Sequence, residues 1–286
     1  MDFIQQENDI KLSDSNQSIS PETSMEQIYQ WEIQSENLET IFKKIKPLDL
    51  IMFSGNNFIS KTIRMVEKEK LGLGTISHVG IVITKELLPH IKELEKGKLY
   101  IWESTNSKVK LSSFPKDILG QSKFGVQIRN LKEVVEYYLQ FQGKVFWGKL
   151  DQHPFKIKNK DSLITYHQRK MDIIEQFKEI EKNYGNSRFN LSFIDLGASV
   201  FPSLRPLRSL KNKLQKLFQR KKNKSKKSYT PFFCSEFVAM ICKKISLLDE
   251  TIDPANVVPV DFLGVKESRS PKLIKKIVEF KLNQEN

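Results

Sequence analysis

One stretch of the sequence, residues 229–242 (YTPFFCSEFVAMIC), places a cysteine where a short apolar approach becomes a helix. Beyond Pro231, apolar residues recur at helical spacing, namely Phe233, Phe237, Val238, Ile241 and Ile245. The pattern predicts a helix that begins near Ser235, with Cys234 in its first turn. The N-terminal end of a helix dipole stabilises negative charge, so a cysteine there can serve as a thiolate nucleophile. The plain alternative is that Cys234 is a small buried hydrophobe.

The two cysteines of the chain, Cys234 and Cys242, lie on this same predicted helix, eight residues apart. At a rise of 1.5 Å per residue their separation is about 12 Å, which is too far for a disulfide within the helix. We therefore expect free thiols in a reducing, intracellular compartment, with Cys242 in the core. The sequence contains neither the pattern of a signal peptide nor an apolar run long enough for a membrane span, so we expect neither.

The net charge of +13 is concentrated in one segment. Between residues 205 and 228 there are eleven cations and no acidic residue, namely Arg205, Arg208, Lys211, Lys213, Lys216, Arg220, Lys221, Lys222, Lys224, Lys226 and Lys227. Leucines recur between these cations at spacings of three and four, which predicts a basic amphipathic helix suited to an anionic membrane surface. A solvated loop is the alternative. Nucleic acid is less favoured because no aromatic residues are interleaved to stack bases.

The chain divides by composition into a polar, acidic tail over residues 1–24, a domain over 25–265 that carries the basic segment as an insertion, and an amphipathic extension over 266–286. Within this division, periodicity and turn residues predict a mixture of helices and strands. The predicted helices are at 25–45, 58–70, 86–97, 131–142, 161–183 and 235–248. The predicted strands are at 48–53, 75–84, 98–105, 109–111 and 125–129, with 271–282 open between strand and helix.

Two of the predicted strands carry polar residues that can meet. His78 opens the strand at 75–84, and Glu103 lies near the end of the strand at 98–105. If these strands pair antiparallel, the start of the first lies opposite the end of the second, which brings Glu103 beside His78. A carboxylate on an apolar strand needs such a partner, because burying it unpaired is costly. A thiolate, a histidine and a group that orients the histidine are the three parts of a papain-type site.

Five short segments carry a resemblance to a known family. They are residues 48–55 (LDLIMFSG), 77–82 (SHVGIV), 102–104 (WES), 233–238 (FCSEFV) and 258–262 (VPVDF). Together they resemble the circularly permuted NlpC-type papain-like family, which includes YiiX-like proteins and poxviral relatives and, more distantly, lecithin:retinol acyltransferases. The similarity covers roughly residues 41–265, and its most specific parts are the Ser-His-Val-Gly and Cys-Ser-Glu blocks. The long basic stretch before Cys234 and the acidic tail depart from the family pattern, so the substrate cannot be carried over.

The resemblance implies an α+β, permuted papain-like fold in which an antiparallel sheet packs against helices and the nucleophile lies at a helix N-terminus. It implies Cys234 as nucleophile, His78 as base and Glu103 as third member. It implies hydrolysis or transfer at an amide, thioester or lipid ester bond, with an acyl or peptide substrate. The competing hypothesis is a catalytically silent binding module that holds anionic lipid or nucleic acid through the basic segment. The other polar candidates are expected to have structural roles, namely Glu236, Asp49, Asp261, His90, His153 and His167. We expect no metal or other cofactor, because no group of residues has metal-ligand spacing.

Overall fold

A computed structural model describes residues 34–55, 76–105, 115–120, 125–141, 143–151, 153–156, 166–188, 232–263 and 273–282. These described residues belong to one compact unit. Its strands are β1 (Gln34–Asn37), β2 (Leu50–Gly55), β3 (His78–Ile83), β4 (Tyr100–Thr105), β5 (Gly125–Asn130), β6 (Gly143–Leu150) and β7 (Ile274–Lys281). Its helices are α1 (Leu38–Phe42), α2 (Leu131–Phe141), α3 (Tyr166–Tyr184) and α4 (Cys234–Lys244). The fold is therefore α+β, as the sequence predicts.

The strands form one seven-stranded sheet in the order β1-β7-β6-β2-β3-β4-β5. Every neighbouring pair is antiparallel except β1 and β7, which are parallel. The predicted antiparallel pairing of β3 with β4 is present, with Ile81 opposite Trp102 and Ile83 opposite Tyr100. The start of β3 and the end of β4 consequently lie at the same end of the sheet.

Helices cover both faces of the sheet. On one face, α1 and α2 contribute to an apolar cluster with strand residues such as Phe53, Val82 and Ile101, all fully buried. On the other face, Trp102 packs against Phe177 of α3 and Phe237 of α4, with ring centroids 5.6 and 5.2 Å apart. Because side chains alternate along a strand, Glu103 points to the face opposite Trp102, the face that carries α2.

Several element predictions differ from the structure, and strand pairing explains the differences at β1 and β6. Within the helix predicted at 25–45, the described part is the strand β1 followed by the short helix α1, because β1 finds a parallel partner in β7. Residues 86–97 form a series of turns in place of a helix. Strand β6 was not predicted at all, although it pairs with both β2 and β7.

The segment at 271–282, which the sequence left open between strand and helix, contains β7, and β7 lies inside the sheet between β1 and β6. Other predictions fall outside the described residues, namely the tail at 1–24, the helix at 58–70, the strand at 109–111 and the basic segment at 205–228. Among the helices that the structure describes, none has the length and apolar character needed to cross a bilayer.

Candidate active site

Helix α4 begins at Cys234, one residue before the predicted start. Phe233, with φ −74° and ψ 162°, is the extended residue from which the helix begins. Two hydrogen bonds fix this start: Ser104 Oγ of β4 donates to the Phe232 carbonyl at 2.8 Å, and Ser235 Oγ donates to the Val257 carbonyl at 2.7 Å. Cys234 is thus held in the first turn, where the backbone N–H groups have no acceptor within the helix.

His78 and Glu103 are in direct contact. His78 Nε2 lies 2.5 Å from Glu103 Oε2, and the His78 side chain is 12% exposed while that of Glu103 is fully buried. An ionised carboxylate can only accept, so the imidazole Nε2–H is the donor. The other ring nitrogen, Nδ1, is not engaged by Glu103, and Cys234 is the second group that acts on the imidazole, through the charge of its sulfur and a hydrogen bond.

A glycine makes the contact between His78 and Glu103 possible. Continuing the β3–β4 register by one residue places Gly80, not His78, opposite Glu103, so the carboxylate reaches His78 diagonally. A Cβ atom on Gly80 would lie 3.1 Å from the Glu103 Cβ and 2.6 Å from Ile101 Cδ1. The absence of a side chain at Gly80 therefore leaves the space that the Glu103 side chain needs.

Arg129 of β5 holds the other oxygen of the same carboxylate. Its Nε donates to Glu103 Oε1 at 2.8 Å, and its Nη2 donates to the same oxygen. Both side chains are fully buried. Glu103 thus contacts a cation through each of its oxygens, with the guanidinium on Oε1 and the imidazole on Oε2.

These contacts set the protonation of Glu103. Burial on its own would raise the pKa of Glu103, but the charge of Arg129, followed by the hydrogen bond and charge of His78, outweighs burial and lowers the pKa to about 2. Glu103 is therefore an anion at any ordinary pH. This carboxylate holds the imidazole by a charge-assisted hydrogen bond.

The protonation of His78 is set by the same network. Burial would lower the pKa of His78, but the charge of the Cys234 sulfur and its hydrogen bond to the ring, followed by the hydrogen bond and charge of Glu103, raise the pKa to about 10. His78 is then an imidazolium at neutral pH and stands between a carboxylate and a sulfur. This arrangement can stabilise a thiolate and can later deliver a proton to a leaving group.

Aromatic side chains close the α2 side of the site. Phe53 of β2 packs on the His78 ring with centroids 5.4 Å apart and on the Tyr138 ring of α2 at 4.4 Å. Burial, supported by the negative charge of Glu103, raises the pKa of Tyr138 well above its ordinary value, so the phenol stays neutral. The His78 ring therefore packs against buried aromatic side chains. In such surroundings its hydrogen bonds to charged groups are stronger than in water.

The remaining acidic candidates have structural contacts. Glu236 accepts from the Phe233 backbone N–H at 3.3 Å and so caps α4. Asp49 accepts from Trp147 Nε1 at 2.9 Å and from the Leu150 N–H at 3.2 Å, which ties the start of β2 to β6. Asp261 accepts from the Val258 N–H at 2.9 Å.

The remaining histidines and Cys242 lie elsewhere. His90 is near Glu181, at 3.4 Å, and His153 faces the Pro47 carbonyl, at 3.1 Å, while His167 is exposed on α3. Cys242 is fully buried, and burial raises its pKa to about 12, so it is unreactive at neutral pH. Within the described residues, no group of histidine, cysteine and acidic side chains is arranged to hold a metal ion.

Sequence reasoning missed Arg129 and Gly80. A signal for Arg129 was present: an arginine on a predicted strand needs a counter-ion if it is buried, and Glu103 was a candidate on another predicted strand. A signal for Gly80 was present as well, since a glycine inside a strand often marks close approach of another group. Neither signal identifies the partner without the register of the sheet.

Comparison with known proteins adds no assignment. No model of a known protein family matches the chain, and a search of curated proteins finds no significant match. The function proposed below therefore rests on the geometry of the site.

Proposed function

We propose that this protein is a thiol hydrolase or acyltransferase with a permuted papain-like fold, and that Cys234, His78 and Glu103 are its catalytic triad. One observation carries the proposal: a largely buried imidazole interacts with a cysteine at the start of a helix and with a carboxylate on the neighbouring strand. Papain-type acyl transfer needs these three groups in this chain of contacts, whatever their order in the sequence. The bond cleaved is an amide, thioester or lipid ester.

In the first half-reaction, the Cys234 thiolate attacks the acyl carbon of the substrate. A sulfur–carbon bond forms while the carbonyl electrons move to oxygen, and the backbone N–H groups in the first turn of α4 stabilise that oxyanion. The bond to the leaving group then breaks, and the leaving atom takes the proton from His78 Nδ1. The products are an acyl-enzyme, the free leaving group and a neutral imidazole.

In the second half-reaction, water or another acceptor replaces the sulfur. His78 Nδ1 takes the acceptor's proton as its oxygen or nitrogen bonds to the acyl carbon, and the sulfur–carbon bond breaks. Thiolate and imidazolium are thereby restored. Throughout both steps Glu103 accepts from Nε2–H, which fixes the ring orientation and leaves Nδ1 facing the sulfur.

The test of this proposal compares the reactivity of the two cysteines. Cys234 is 4% exposed and Cys242 is fully buried, so iodoacetamide at pH 7 should alkylate Cys234 and leave Cys242 unmodified, with the site identified by peptide mass spectrometry. His78→Ala should slow the alkylation of Cys234 by about tenfold or more, because the thiolate loses its cationic partner. His167→Ala, which removes an exposed histidine on α3, is the matched control and should leave the rate unchanged.

Equal rates in wild type and His78→Ala would contradict the proposal. That outcome would leave the competing hypothesis, a papain-like module that binds without catalysis.

For partners, we propose that the protein also associates peripherally with an anionic membrane surface through the basic segment at 205–228. The alternation of leucines and cations in that segment supports this, since each cation near such a surface contributes about 1 kcal/mol. Flotation with phosphatidylserine-containing liposomes should be lost when residues 205–228 are deleted. Flotation that is unchanged by the deletion would refute the membrane assignment. Binding to nucleic acid that depends on the segment, without binding to liposomes, would refute it as well.

A further inference from the structure

Arg129 is a charged residue in contact with the candidate triad, and the mechanism above does not use it. Its guanidinium is fully buried and both of its contacts with Glu103 go to Oε1, the oxygen that His78 does not touch. Burying an arginine among apolar strands is costly unless a carboxylate compensates for the lost hydration. The placement of this ion pair directly behind the His78 contact therefore calls for a functional explanation.

The reaction changes the charge beside Glu103. While His78 is an imidazolium, Glu103 has two cationic neighbours. After His78 gives its proton to the leaving group, the imidazole is neutral and Arg129 is the remaining cation in contact with the carboxylate. A buried carboxylate without a cationic partner favours its protonated form. Without Arg129, Glu103 would compete with the leaving group for the proton on the histidine.

We propose that Arg129 is a positioning residue that keeps Glu103 ionised and aimed at His78, so that the proton stays on the imidazole until the leaving group takes it. The inference rests on the proposed function. The network then has four members in contact order, Arg129, Glu103, His78 and Cys234, contributed by β5, β4, β3 and α4.

The groups that face this network come from each element packed against it. The imidazole of His78 is faced by Glu103 from β4 and by the Cys234 sulfur from α4. The carboxylate of Glu103 is faced by Arg129 from β5, by His78 from β3 and by the neutral Tyr138 phenol from α2. Arg129 is thus the cation in this set whose charge does not change during the reaction.

The direction of the effect of removing Arg129 separates a positioning role from a general electrostatic one. Removing a positive charge near an imidazolium would, by direct repulsion alone, raise the pKa of the histidine. If Arg129 instead acts through Glu103, its removal lets the carboxylate take up a proton, and the pKa of His78 falls. A fall therefore reports on the contact between Arg129 and Glu103.

The experiment is an NMR titration of the His78 ring in the full-length protein, with the resonance assigned by its loss in His78→Asn. In Arg129→Gln we expect the pKa of His78 to fall by at least about one unit. Arg169→Gln is the matched control, because Arg169 is a partly buried arginine of α3 that donates to the Ile245 carbonyl, beyond the C-terminal end of α4. This control should lose some stability and keep the pKa of His78.

Arg129→Lys is a second test variant. It keeps the positive charge but loses the two hydrogen bonds that the guanidinium donates to Glu103. In this variant we expect the pKa of His78 to stay near its wild-type value and the acylation of Cys234 to slow by about tenfold or more, since the carboxylate is less well oriented. A folded Arg129→Gln with the wild-type pKa of His78, or a folded Arg129→Lys with the wild-type acylation rate, would overturn the proposal.

The titration does not depend on turnover, so this inference and the proposed function can fail separately. If Cys234 forms no acyl-enzyme but the pKa of His78 falls in Arg129→Gln, the proposed function is wrong, while the part of the inference in which Arg129 keeps Glu103 ionised stands. If acyl-enzyme forms normally and the pKa of His78 does not move, the role assigned to Arg129 is wrong.

Discussion

Replacing Gly80 with alanine tests the geometry of the site through a single added methyl group. The new Cβ would lie 2.6 Å from both Ile101 Cδ1 and Ile101 Cγ1, whereas ordinary contacts begin at 3.4 Å, so the end of the Ile101 side chain must move by about 0.8 Å. Ile101 is fully buried among Val82 and the α2 residues and cannot move freely. Overpacking of this kind costs about 1–3 kcal/mol of unfolding free energy.

The same methyl group also presses on Glu103, whose Cβ would lie 3.1 Å away and must give by a few tenths of an ångström. That shift moves the carboxylate relative to His78, at the 2.5 Å contact that holds the imidazole. Misplacement of catalytic groups by 1 Å can cost about 100-fold, so we expect a loss of about tenfold in the acylation rate of Cys234 from this smaller shift. Urea unfolding measures the loss of stability, and an acylation assay quenched at set times measures the loss of rate.

Gly148→Ala is the matched control for this experiment. A Cβ there would lie 2.6 Å from Ile274 Cδ1 and 2.9 Å from Met52 Cε, a comparable clash in the same sheet. Three strand spacings, about 14 Å, separate β6 from β4, so the control should lose similar stability without slowing acylation. A folded Gly80→Ala with the wild-type rate, or a Gly148→Ala that slows acylation equally, would refute the link between Gly80 and Glu103.

Three further outcomes are expected. The pKa of His78 in the folded protein, about 10, lies above its ordinary value of 6.5. The stabilisation that His78 contributes should therefore be complete below pH 6.5 and disappear as the pH rises toward 10. Urea unfolding of the wild type and of His78→Asn measures this contribution at each pH. The pKa of Glu103, about 2, lies below its ordinary value of 4.5. The stabilisation that Glu103 contributes should therefore be complete above pH 4.5 and decline as the pH falls toward 2. A difference in unfolding free energy between wild type and Glu103→Gln that does not change over this pH range would contradict the assignment. Trp102→Ala should cost about 3–5 kcal/mol because it empties the contact with Phe177 and Phe237; a loss below about 1 kcal/mol in urea unfolding would mean that this contact is not part of the packed core.

The central strands of the fold were predictable because their sequences are apolar and bounded by turn residues. Strands β3 and β4 lie within the segments predicted for them, and β2 overlaps its predicted segment but continues to Gly55, where a turn was predicted. The antiparallel pairing of β3 with β4, which was assumed from the sequence, is present in the structure. That pairing was enough to predict that His78 and Glu103 meet. The start of α4 at Cys234 was predictable to within one residue from the spacing of apolar residues after Pro231.

The outer strands were not predictable because their sequences are ambiguous without a partner. In β7, Ile274, Ile277 and Val278 fit the spacing of a helix as well as that of a strand, and pairing with β6 decides between them. Strand β1 consists of the polar residues QSEN, which have no alternating apolar pattern. It forms because it pairs in parallel with the edge of β7.

The candidate site was predictable in its three reactive groups but not in its supporting residues. Arg129 reaches Glu103 diagonally across the β4–β5 pair, where Arg129 itself lies opposite Ile101. That contact depends on the register between the two strands, which periodicity does not fix. The role of Gly80 depends in the same way on the register of β3 against β4. Local sequence therefore predicted which candidate side chains meet, and the register of the sheet determines which residues support them.

The measurement that tests the central claim most directly is the capture of an acyl-enzyme on Cys234. The full-length protein would be mixed with a panel of activated amide, thioester and fatty acyl ester substrates, quenched in acid within milliseconds to seconds, and analysed by intact-mass and peptide mass spectrometry. We predict a single acyl adduct on Cys234 with at least one substrate, formed together with a stoichiometric burst of leaving group, and a rate lower by about 100-fold or more in His78→Ala. Acylation at the same rate in His78→Ala, or an adduct on a residue other than Cys234, would contradict the account.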